Sequence, residues 1–312
     1  MTPAIHTENL GKIYYSGFWR RPFTGLSGLS MTVEPGSSFG FVGPNGAGKT
    51  TTIKMLMGLQ ARTSGQAWIH GVSIDSPESR RRVGFMPERP YFYEHLTAWE
   101  FLDFYARLTE VPAADRGPRV AALLERVGLS RFRNVPLGKF SKGMLQRAGI
   151  AQALVNDPDL VVLDEPMSGL DPLGRVLVRD IILEERRSGK TVFFSSHILS
   201  DVEAICDQVA IVVGGELRGL GTVQSLLGQT SNDVDCTFLV GGDVPGQLIR
   251  REGERVTVRV ASSQLDAVVD EVRARGGSVV SVHPNQRTLE DVLLDEVERA
   301  KLVNEKRLGV LA

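Results

Sequence analysis

The segment GPNGAGKT, from Gly43 to Thr50, has the residue types and spacing of a phosphate-binding loop. It fits the pattern G-x-x-x-x-G-K-[ST] in full and lies between a predicted strand and a predicted helix, which is the context this loop requires. Its glycines let the backbone curl so that successive N–H groups point at phosphate oxygens. Lys49 can neutralise the β- and γ-phosphates, and the Thr50 hydroxyl can ligate Mg²⁺. The sequence therefore predicts nucleotide binding.

Two other segments place polar side chains just past buried strands. LVVLDEP delivers Asp164 and Glu165, and TVFFSSH delivers His197. In open α/β sheets the carboxyl ends of parallel strands face the ligand. Asp164 can hold Mg²⁺ directly or through water, and Glu165 can accept a proton from an attacking water or orient it. Such an acidic pair alone would more often cap a loop, but beside a phosphate loop we favour the functional interpretation.

The segment KFSKGMLQR, from Lys139 to Arg147, predicts a second helix whose N-terminus could bind an anion. Ser141 is a good N-cap, and Gly143 leaves backbone N–H groups open. Unpaired N–H groups and the helix dipole both favour negative charge at such a start. The chain thus carries two phosphate-seeking segments, although one nucleotide needs only one.

The elements that position these residues follow from the hydrophobic pattern. From about residue 29 to residue 213, short apolar runs alternate with helical patterns, which is typical of a mostly parallel α/β sheet. Residues 98–128 have a helical pattern, which Pro112 and Gly117–Pro118 are predicted to break. Its apolar face is expected to be Phe101, Leu102, Tyr105 and Leu108.

The pattern changes after about Gly221. In Arg255–Val260 polar and apolar residues alternate strictly, which predicts a strand with one solvent-exposed face. A helix follows, with Ser263 and Asp266 as a capping pair and a stop near Gly276. Another strand and a last helix complete a small α+β domain in which we find no chemistry.

Composition narrows the class of protein. The chain has 312 residues, 42% hydrophobic and 23% charged, with a net charge of −1. This balance suits a soluble globular protein and gives no bulk attraction to nucleic acid. Cys206 and Cys236 lack metal-ligand spacing and fit a reducing compartment. No signal peptide is expected, and no segment approaches the roughly 20 apolar residues that span a bilayer, so a membrane role would need a partner.

Taken in order, the segments GPNGAGKTT, FSKGMLQR, LVVLDEP, SGLDP and SSH resemble an ABC transporter ATP-binding subunit over about residues 4–222. The SKGM form and TLEDVLLDEV, from Thr288 to Val297, resemble the branch that works with ABC-2-type permeases. The resemblance implies an α/β P-loop NTPase fold with a mostly parallel core sheet, an antiparallel β subdomain and a helical subdomain. The expected ATP-binding domain is 1–222, with the helical subdomain at about 88–157, and 223–312 forms a small α+β accessory domain.

The resemblance also implies a function. Such subunits hydrolyse ATP to ADP and phosphate with Mg²⁺ and power a separate membrane permease, here expected to be that of an exporter, from the cytoplasmic face. Two of them pair head to tail, so the phosphate loop of one faces the signature segment, Lys139–Arg147, of the other. This pairing explains two anion-seeking helix starts in one chain. The expected partners are a second ATP-binding subunit and a permease, and no nucleic acid.

Residue roles follow from the resemblance by position. Glu165 would be the catalytic carboxylate, His197 the sensor of the γ-phosphate, and Lys49 the catalytic lysine. Asp171 would communicate across the dimer. Tyr14 would stack on adenine, with Tyr15 the candidate if the register slips. The residues expected at the nucleotide are Tyr14, Gly43, Pro44, Asn45, Gly46, Ala47, Gly48, Lys49, Thr50, Thr51, Glu88, Ser141, Gly143, Met144 and Asp171. The expected metal ligands are Thr50, Asp164 and Glu88.

The sequence departs from the usual family pattern at three positions in or next to this set. Glu88 stands where the family usually has glutamine, and in the signature segment Lys142 replaces glycine and Met144 replaces glutamine. Glu88 and Lys142 either offset each other across a shared site or both point into solvent. The aromatics Tyr91–Tyr93 either anchor the permease or belong to the core.

Three other function classes share part of this motif set. A soluble ABC-type ATPase acting on nucleic acid or ribosomes usually has heptad insertions or two ATPase domains. A P-loop kinase has no use for a signature segment. A regulator without turnover does not need Glu165 and His197.

Overall fold

The apolar runs form the middle of a six-stranded sheet in the computed structural model, which describes residues 2–16, 21–228, 233–284 and 287–307. Five strands are parallel, and the last pairs antiparallel at one edge. The sheet order is β10-β9-β3-β8-β7-β6. The strands are β3 (Ser38–Val42), β6 (Val83–Met86), β7 (Leu160–Leu163), β8 (Thr191–Ser196), β9 (Gln208–Val213) and β10 (Glu216–Thr222).

A second, antiparallel sheet covers part of this core. Its order is β2-β1-β4-β5. The strands are β1 (Ile5–Ser16), β2 (Arg21–Val33), β4 (Ser64–Ile69) and β5 (Val72–Ser73). Helix α1 (Lys49–Leu56) shares one buried apolar cluster with both sheets, in which Phe39, Phe41 and Phe193 are buried. Burial of such large rings is the main stabilising contribution to this layer.

Three helices lie between β6 and β7 in the chain: α2 (Ala98–Leu108), α3 (Ala113–Arg126) and α4 (Lys142–Ala153). Thr97 and Glu100 form a capping box at the start of α2. The helices α5 (Pro172–Arg187), α6 (Leu199–Ile205) and α7 (Val223–Leu227) follow β7, β8 and β10 respectively.

Two local predictions in this helical stretch were wrong. Gly117 and Pro118, where a break was predicted, lie inside α3. The buried apolar stripe of Val120, Leu123 and Leu124 stabilises the helix by more than the loss of the backbone hydrogen bond that Pro118 cannot donate. Leu108 is exposed rather than part of the buried face. Val111 is buried instead, and its N–H closes the turn on Ala106.

Residues Leu227–Val292 form a compact unit of their own. Its antiparallel sheet has the order β12-β13-β11-β14, from β11 (Asp233–Leu239), β12 (Gln247–Glu252), β13 (Arg255–Ala261) and β14 (Ser278–Pro284). Burial along β13 alternates as predicted, and α8 (Leu265–Ala274) packs on the buried face. The predicted cap at Ser263 was wrong, because a 3-10 turn over Ser262–Gln264 precedes the helix. The last helix is α9 (Leu289–Arg307).

The predicted fold class is confirmed by the parallel core and the antiparallel sheets. Among the described residues, no helix combines the length and the apolar character needed to cross a bilayer.

Close packing of α4 on β6 gives a test of this arrangement. A Cβ at Gly84 would lie 1.9 Å from the carbonyl oxygen of Ala153 in α4. We expect Gly84→Ala to lower the free energy of unfolding by about 1–3 kcal/mol or more, measured by denaturant titration. Gly117→Ala is the control, because its Cβ meets nothing within 4 Å and a helical alanine should add about 0.5–1 kcal/mol. Equal midpoints for Gly84→Ala and the unmodified protein would contradict this packing.

Candidate active site

The loop between β3 and α1 is curled as the motif predicts. Gly46 and Gly48 have φ of +80° and +103°, which favour glycine, and Gly48 begins α1 without a side-chain cap. A Cβ at Gly43 would lie 2.1 Å from the carbonyl oxygen of Val212, so only glycine fits there. The first-turn N–H groups of α1 are left to a ligand rather than to a capping side chain.

Lys49 is buried at the centre of this loop. Its Nζ donates to the carbonyl of Gly43 at 2.7 Å and of Pro44 at 3.4 Å. It also lies 3.3 Å from Oε1 of Glu165. The predicted catalytic lysine and catalytic carboxylate are therefore an ion pair in this structure.

Strand register brings the other predicted residues to the same edge. Val42 pairs with Ser196 at the ends of β3 and β8, and Leu163 at the end of β7 pairs with Phe194, so the three strands end within two residues of one another. The next residues in the chain, Gly43, Asp164 and His197, consequently meet at one end of the sheet. His197 Nδ1 lies 2.7 Å from Oε2 of Glu165.

Glu165 has an unusual backbone. Its φ is +53°, in the left-handed region that costs a non-glycine residue free energy. The Ser195 hydroxyl accepts the Glu165 N–H at 2.9 Å, and the Glu165 carbonyl accepts the N–H of Ser168 at 3.1 Å. Gln146 of α4 donates to that carbonyl at 3.1 Å and to the Pro166 carbonyl at 3.0 Å. Groups from β8, from the turn that follows Glu165 and from α4 thus hold the strained residue.

Asp164 is only 1% exposed. Ser195 donates to its Oδ1 at 2.6 Å, and the Thr50 hydroxyl lies 3.4 Å from the same oxygen. Burial raises the pKa of Asp164; the hydrogen bonds from Ser195 and Thr50 oppose this, and the negative charges of Glu88 and Glu165 add to it. The ionised carboxylate is therefore a destabilised group that a cation would stabilise.

These groups open into one cleft of about 660 Å³, which we call the first cleft. Its lining includes most of the predicted loop, Glu88 and Glu165 together with His197 and Tyr14. Gly43 and Pro44 lie behind it as acceptors for Lys49, and Asp164 is buried behind Thr50.

Tyr14 is not alone at the outer end of the first cleft. Its ring stacks on Phe23 with centroids 5.0 Å apart, and its hydroxyl donates to Gln60 at 2.9 Å. Phe23 is 53% exposed and lines the cleft, whereas Tyr14 is half-buried. Tyr15, the other candidate, does not line it. Phe23 is therefore the ring of the pair that presents more surface.

Other predicted residues line a separate second cleft of about 500 Å³. Ser141 caps α4 by accepting the N–H of Met144 at 3.3 Å, and Asp171 caps α5 by accepting the N–H of Gly174 at 2.7 Å. The second cleft is lined by Ser141, Lys142, Gly143, Arg147, Gly169, Leu170, Asp171, Leu173, Gly174 and Leu177. Met144 lines neither cleft. The signature segment and the phosphate loop of one chain thus face different clefts.

Glu88 and Lys142 are both exposed and lie at different clefts. Lys142 lies over Gly169, where a Cβ would be 2.6 Å from its Nζ. Within one chain the two substitutions do not meet, and their compensation across a dimer stays a prediction.

Sequence reasoning missed Phe23, Gln146 and Ser195. Ser195 lies in the quoted segment FFSSH, where strand alternation could have shown that it faces the acidic pair. Phe23 and Gln146 depend on contacts distant in sequence, for which the chain gives no local signal.

Comparison with known structures supports the fold. The dimeric post-hydrolysis state of the ATP-binding cassette MJ0796, bound to ADP and Pi, matches with a TM-score of 0.65 over 70% of this chain and 99% of that chain. The sequences are 22% identical, so this likeness concerns the fold. It confirms the α/β fold with a mostly parallel core sheet that the sequence predicts.

Sequence comparison gives the family. A family model described as ABC transporter matches residues 26–168. An uncharacterized ABC transporter ATP-binding protein of Nostoc sp. is 41% identical over 310 residues, covering 96% of this chain and 91% of that protein. A fluoroquinolones export ATP-binding protein of Mycobacterium tuberculosis is 33% identical over 281 residues, covering 88% of each. The chain belongs to the ABC transporter ATP-binding proteins.

The environment of Asp164 predicts a stability change. A raised pKa means that the ionised carboxylate destabilises the fold at neutral pH, and that this cost disappears as pH falls through the raised pKa to below the unfolded value. We expect Asp164→Asn to raise the melting temperature by a few degrees at neutral pH without added metal or nucleotide, and to have no such effect in acid.

Asp75→Asn is the matched control for thermal melts. The hydrogen bond from Arg62 lowers the pKa of Asp75, so its loss of charge should not stabilise the fold. A lower melting temperature for Asp164→Asn at neutral pH would show that the carboxylate is stabilised rather than strained.

Proposed function

We propose that this chain binds and hydrolyses ATP and that hydrolysis drives a separate membrane permease. The observation that carries the proposal is the convergence of Lys49, Glu165 and His197 on the phosphate loop within one cleft. A turn that only bound phosphate would need no carboxylate there. The family supports ATP as the nucleotide.

The residues present fit Mg²⁺. Thr50 and Asp164 supply hydroxyl and carboxylate oxygens, which this cation prefers, and Asp164 is destabilised as an uncompensated anion. In the described parts of the chain no group of three or more His, Cys, Asp or Glu residues could hold a metal ion. Thr50 and Asp164 would hold the ion, with Glu88 at the edge of the cleft. Bound Mg²⁺ would neutralise charge on the β- and γ-phosphates.

Each group of the first cleft has a separate role in hydrolysis. The N–H groups of the loop and Lys49 bind the β- and γ-phosphates. Glu165 orients the attacking water and accepts its proton at Oε1 or Oε2. His197 contacts Oε2 and lines the same cleft, and we propose that it senses the γ-phosphate there. Lys49 leaves Glu165 when the phosphates arrive, which frees the carboxylate for the water.

We propose that two copies pair head to tail. The first cleft holds the phosphate loop, and the second holds Ser141 and Gly143, so neither cleft alone surrounds a triphosphate. A head-to-tail dimer would close each first cleft with the partner's second cleft. A cassette of the same fold is dimeric, which supports pairing of two copies.

A surface for the permease lies beside Glu88. Tyr91 and Tyr93 are exposed and pack edge to face, and Tyr93 packs on the partly exposed Phe104. Phe92 instead packs on Phe101, so the aromatics divide between surface and core. Exposed aromatics of this kind are enriched at interface centres. We propose that they dock a cytoplasmic segment of an export permease, which places the subunit at the cytoplasmic face of the membrane; the export relative supports the direction.

Substitution of Glu165 and Lys49 tests the ATPase. Glu165→Gln should keep ATP binding and lower turnover by about 100-fold or more. It should also trap an ATP-bound dimer, which light scattering would detect. Lys49→Ala should weaken ATP binding by about 10-fold or more, because the phosphates lose a buried, positively charged hydrogen-bond donor. Lys54→Ala is the control on the same helix, because Lys54 is exposed. Normal phosphate release by Glu165→Gln would refute its role.

Phe23 provides a second test of the nucleotide site. Stacking on a base is typically worth about 1–3 kcal/mol, so Phe23→Ala should weaken ATP binding by about 5- to 150-fold. Binding of inorganic tripolyphosphate, which has no base, should stay unchanged. Tyr15→Ala is the control and should bind ATP normally. If Phe23→Ala bound ATP as tightly as the unmodified protein, Phe23 would not contact the base.

A further inference from the structure

The position of the Glu165 carboxylate depends on how its backbone is held. With φ of +53° this residue pays a conformational cost and needs its surroundings to keep it in place. Ser195 and Ser168 belong to strand β8 and to the turn after Glu165 itself. Gln146 is different, because it comes from α4, the helix that begins in the second cleft.

Gln146 is 5% exposed, and its amide nitrogen makes two bonds. One Nε2 hydrogen is donated to the Glu165 carbonyl at 3.1 Å and the other to the Pro166 carbonyl at 3.0 Å. An amide has two such hydrogens, so both are used. Buried hydrogen bonds of this kind fix the position of the groups they join.

The same helix is anchored elsewhere by the next residue. Arg147 donates to the carbonyl of Val127 at 3.0 Å and of Gly128 at 3.3 Å, at the end of α3. Ser141 at the start of α4 lies only about 7.5 Å from Gln146 along the axis, because a helix rises about 1.5 Å per residue. A shift of the helix start therefore moves Gln146 with it.

We propose that Gln146 is a positioning residue that couples the second cleft to Glu165 of the same chain. This inference rests on the proposed function. When a partner's nucleotide seats against Ser141 and Gly143, α4 shifts, and Gln146 carries that shift to the two carbonyls beside Glu165. Occupation of one shared site thereby sets the catalytic carboxylate of the other, which is a coupling between two distinct sites.

Gln146→Met separates the hydrogen bonds from packing, because methionine has a similar shape and no N–H donors. We expect kcat for ATP hydrolysis to fall about tenfold or more, since small displacements of a catalytic group are costly. The Kd for ATP should stay unchanged, because the phosphate loop is untouched. Gln152→Met, on the same helix at a half-buried position, should keep both values. Unchanged kcat in Gln146→Met would overturn the inference.

A mixed dimer tests the coupling without turnover. One subunit carries Lys49→Ala, and ATP is supplied at a concentration that leaves its weakened loop empty. The other carries Ser141→Arg, which blocks its signature segment, and Glu165→Gln, which prevents turnover at the intact site. Only the first subunit's signature segment then meets a nucleotide. ATP should slow amide exchange at residues 164–168 of that first subunit, although its own loop is not occupied.

Adding Gln146→Met to the first subunit should abolish this slowing. Slowing that persists with Gln146→Met, or that never occurs in the mixed dimer, would overturn the inference. The second outcome needs no Gln146 variant, so it decides even if Gln146→Met does not fold. Failure of the unmodified chain to bind ATP or to dimerise would instead overturn the proposed function as well.

Discussion

One hydroxyl group, that of Ser195, holds the acidic end of β7 in order. It donates to Asp164 at 2.6 Å and accepts the N–H of Glu165 at 2.9 Å. The first bond gives a buried carboxylate a partner, and the second helps to keep a non-glycine residue in the left-handed region. Ser195 reaches both only because β7 and β8 are in parallel register, with Leu163 beside Phe194. A slip of one residue would turn the hydroxyl to the other face of the sheet.

The parts of the site that follow from local sequence could be predicted. The phosphate loop has its own glycine pattern, and the buried strands are continuous apolar runs, so Gly43, Asp164 and His197 could be placed at one edge of a sheet. The family resemblance then supplied roles that spacing alone does not give. The mostly parallel α/β core followed from the same strand and helix alternation, whereas the antiparallel and helical subdomains followed from the resemblance.

What could not be predicted depends on tertiary contacts. Pro118 breaks a helix in isolation, but the buried stripe of α3 outweighs its local cost. The Ser263 pattern was matched correctly as a motif, yet a 3-10 turn displaced the helix start. Phe23 and Gln146 reach the site across the β1–β2 pair and from α4, and neither belongs to a pattern readable along the chain.

Helix α4 belongs structurally to two regions at once. Its first turn forms part of the second cleft, Gln146 reaches the strand ends of the central sheet, and Arg147 is fastened to α3. Neighbouring side chains on a helix point about 100° apart, so adjacent residues of one helix can bind the central sheet and α3 respectively. The chain therefore joins its helical layer to its acidic residues through a rigid element rather than through a loop.

The ion pair between Lys49 and Glu165 has a consequence for selectivity. Both side chains are buried and lie 3.3 Å apart, and Lys49 also donates to its own loop. Any anion that reaches Lys49 competes with an internal counter-ion already in position. Separating a buried pair is costly, so a chloride or a single phosphate gains little by intruding. A polyphosphate brings several charges at once and engages the loop N–H groups together, so we expect the site to favour anions by their valence as well as by their shape.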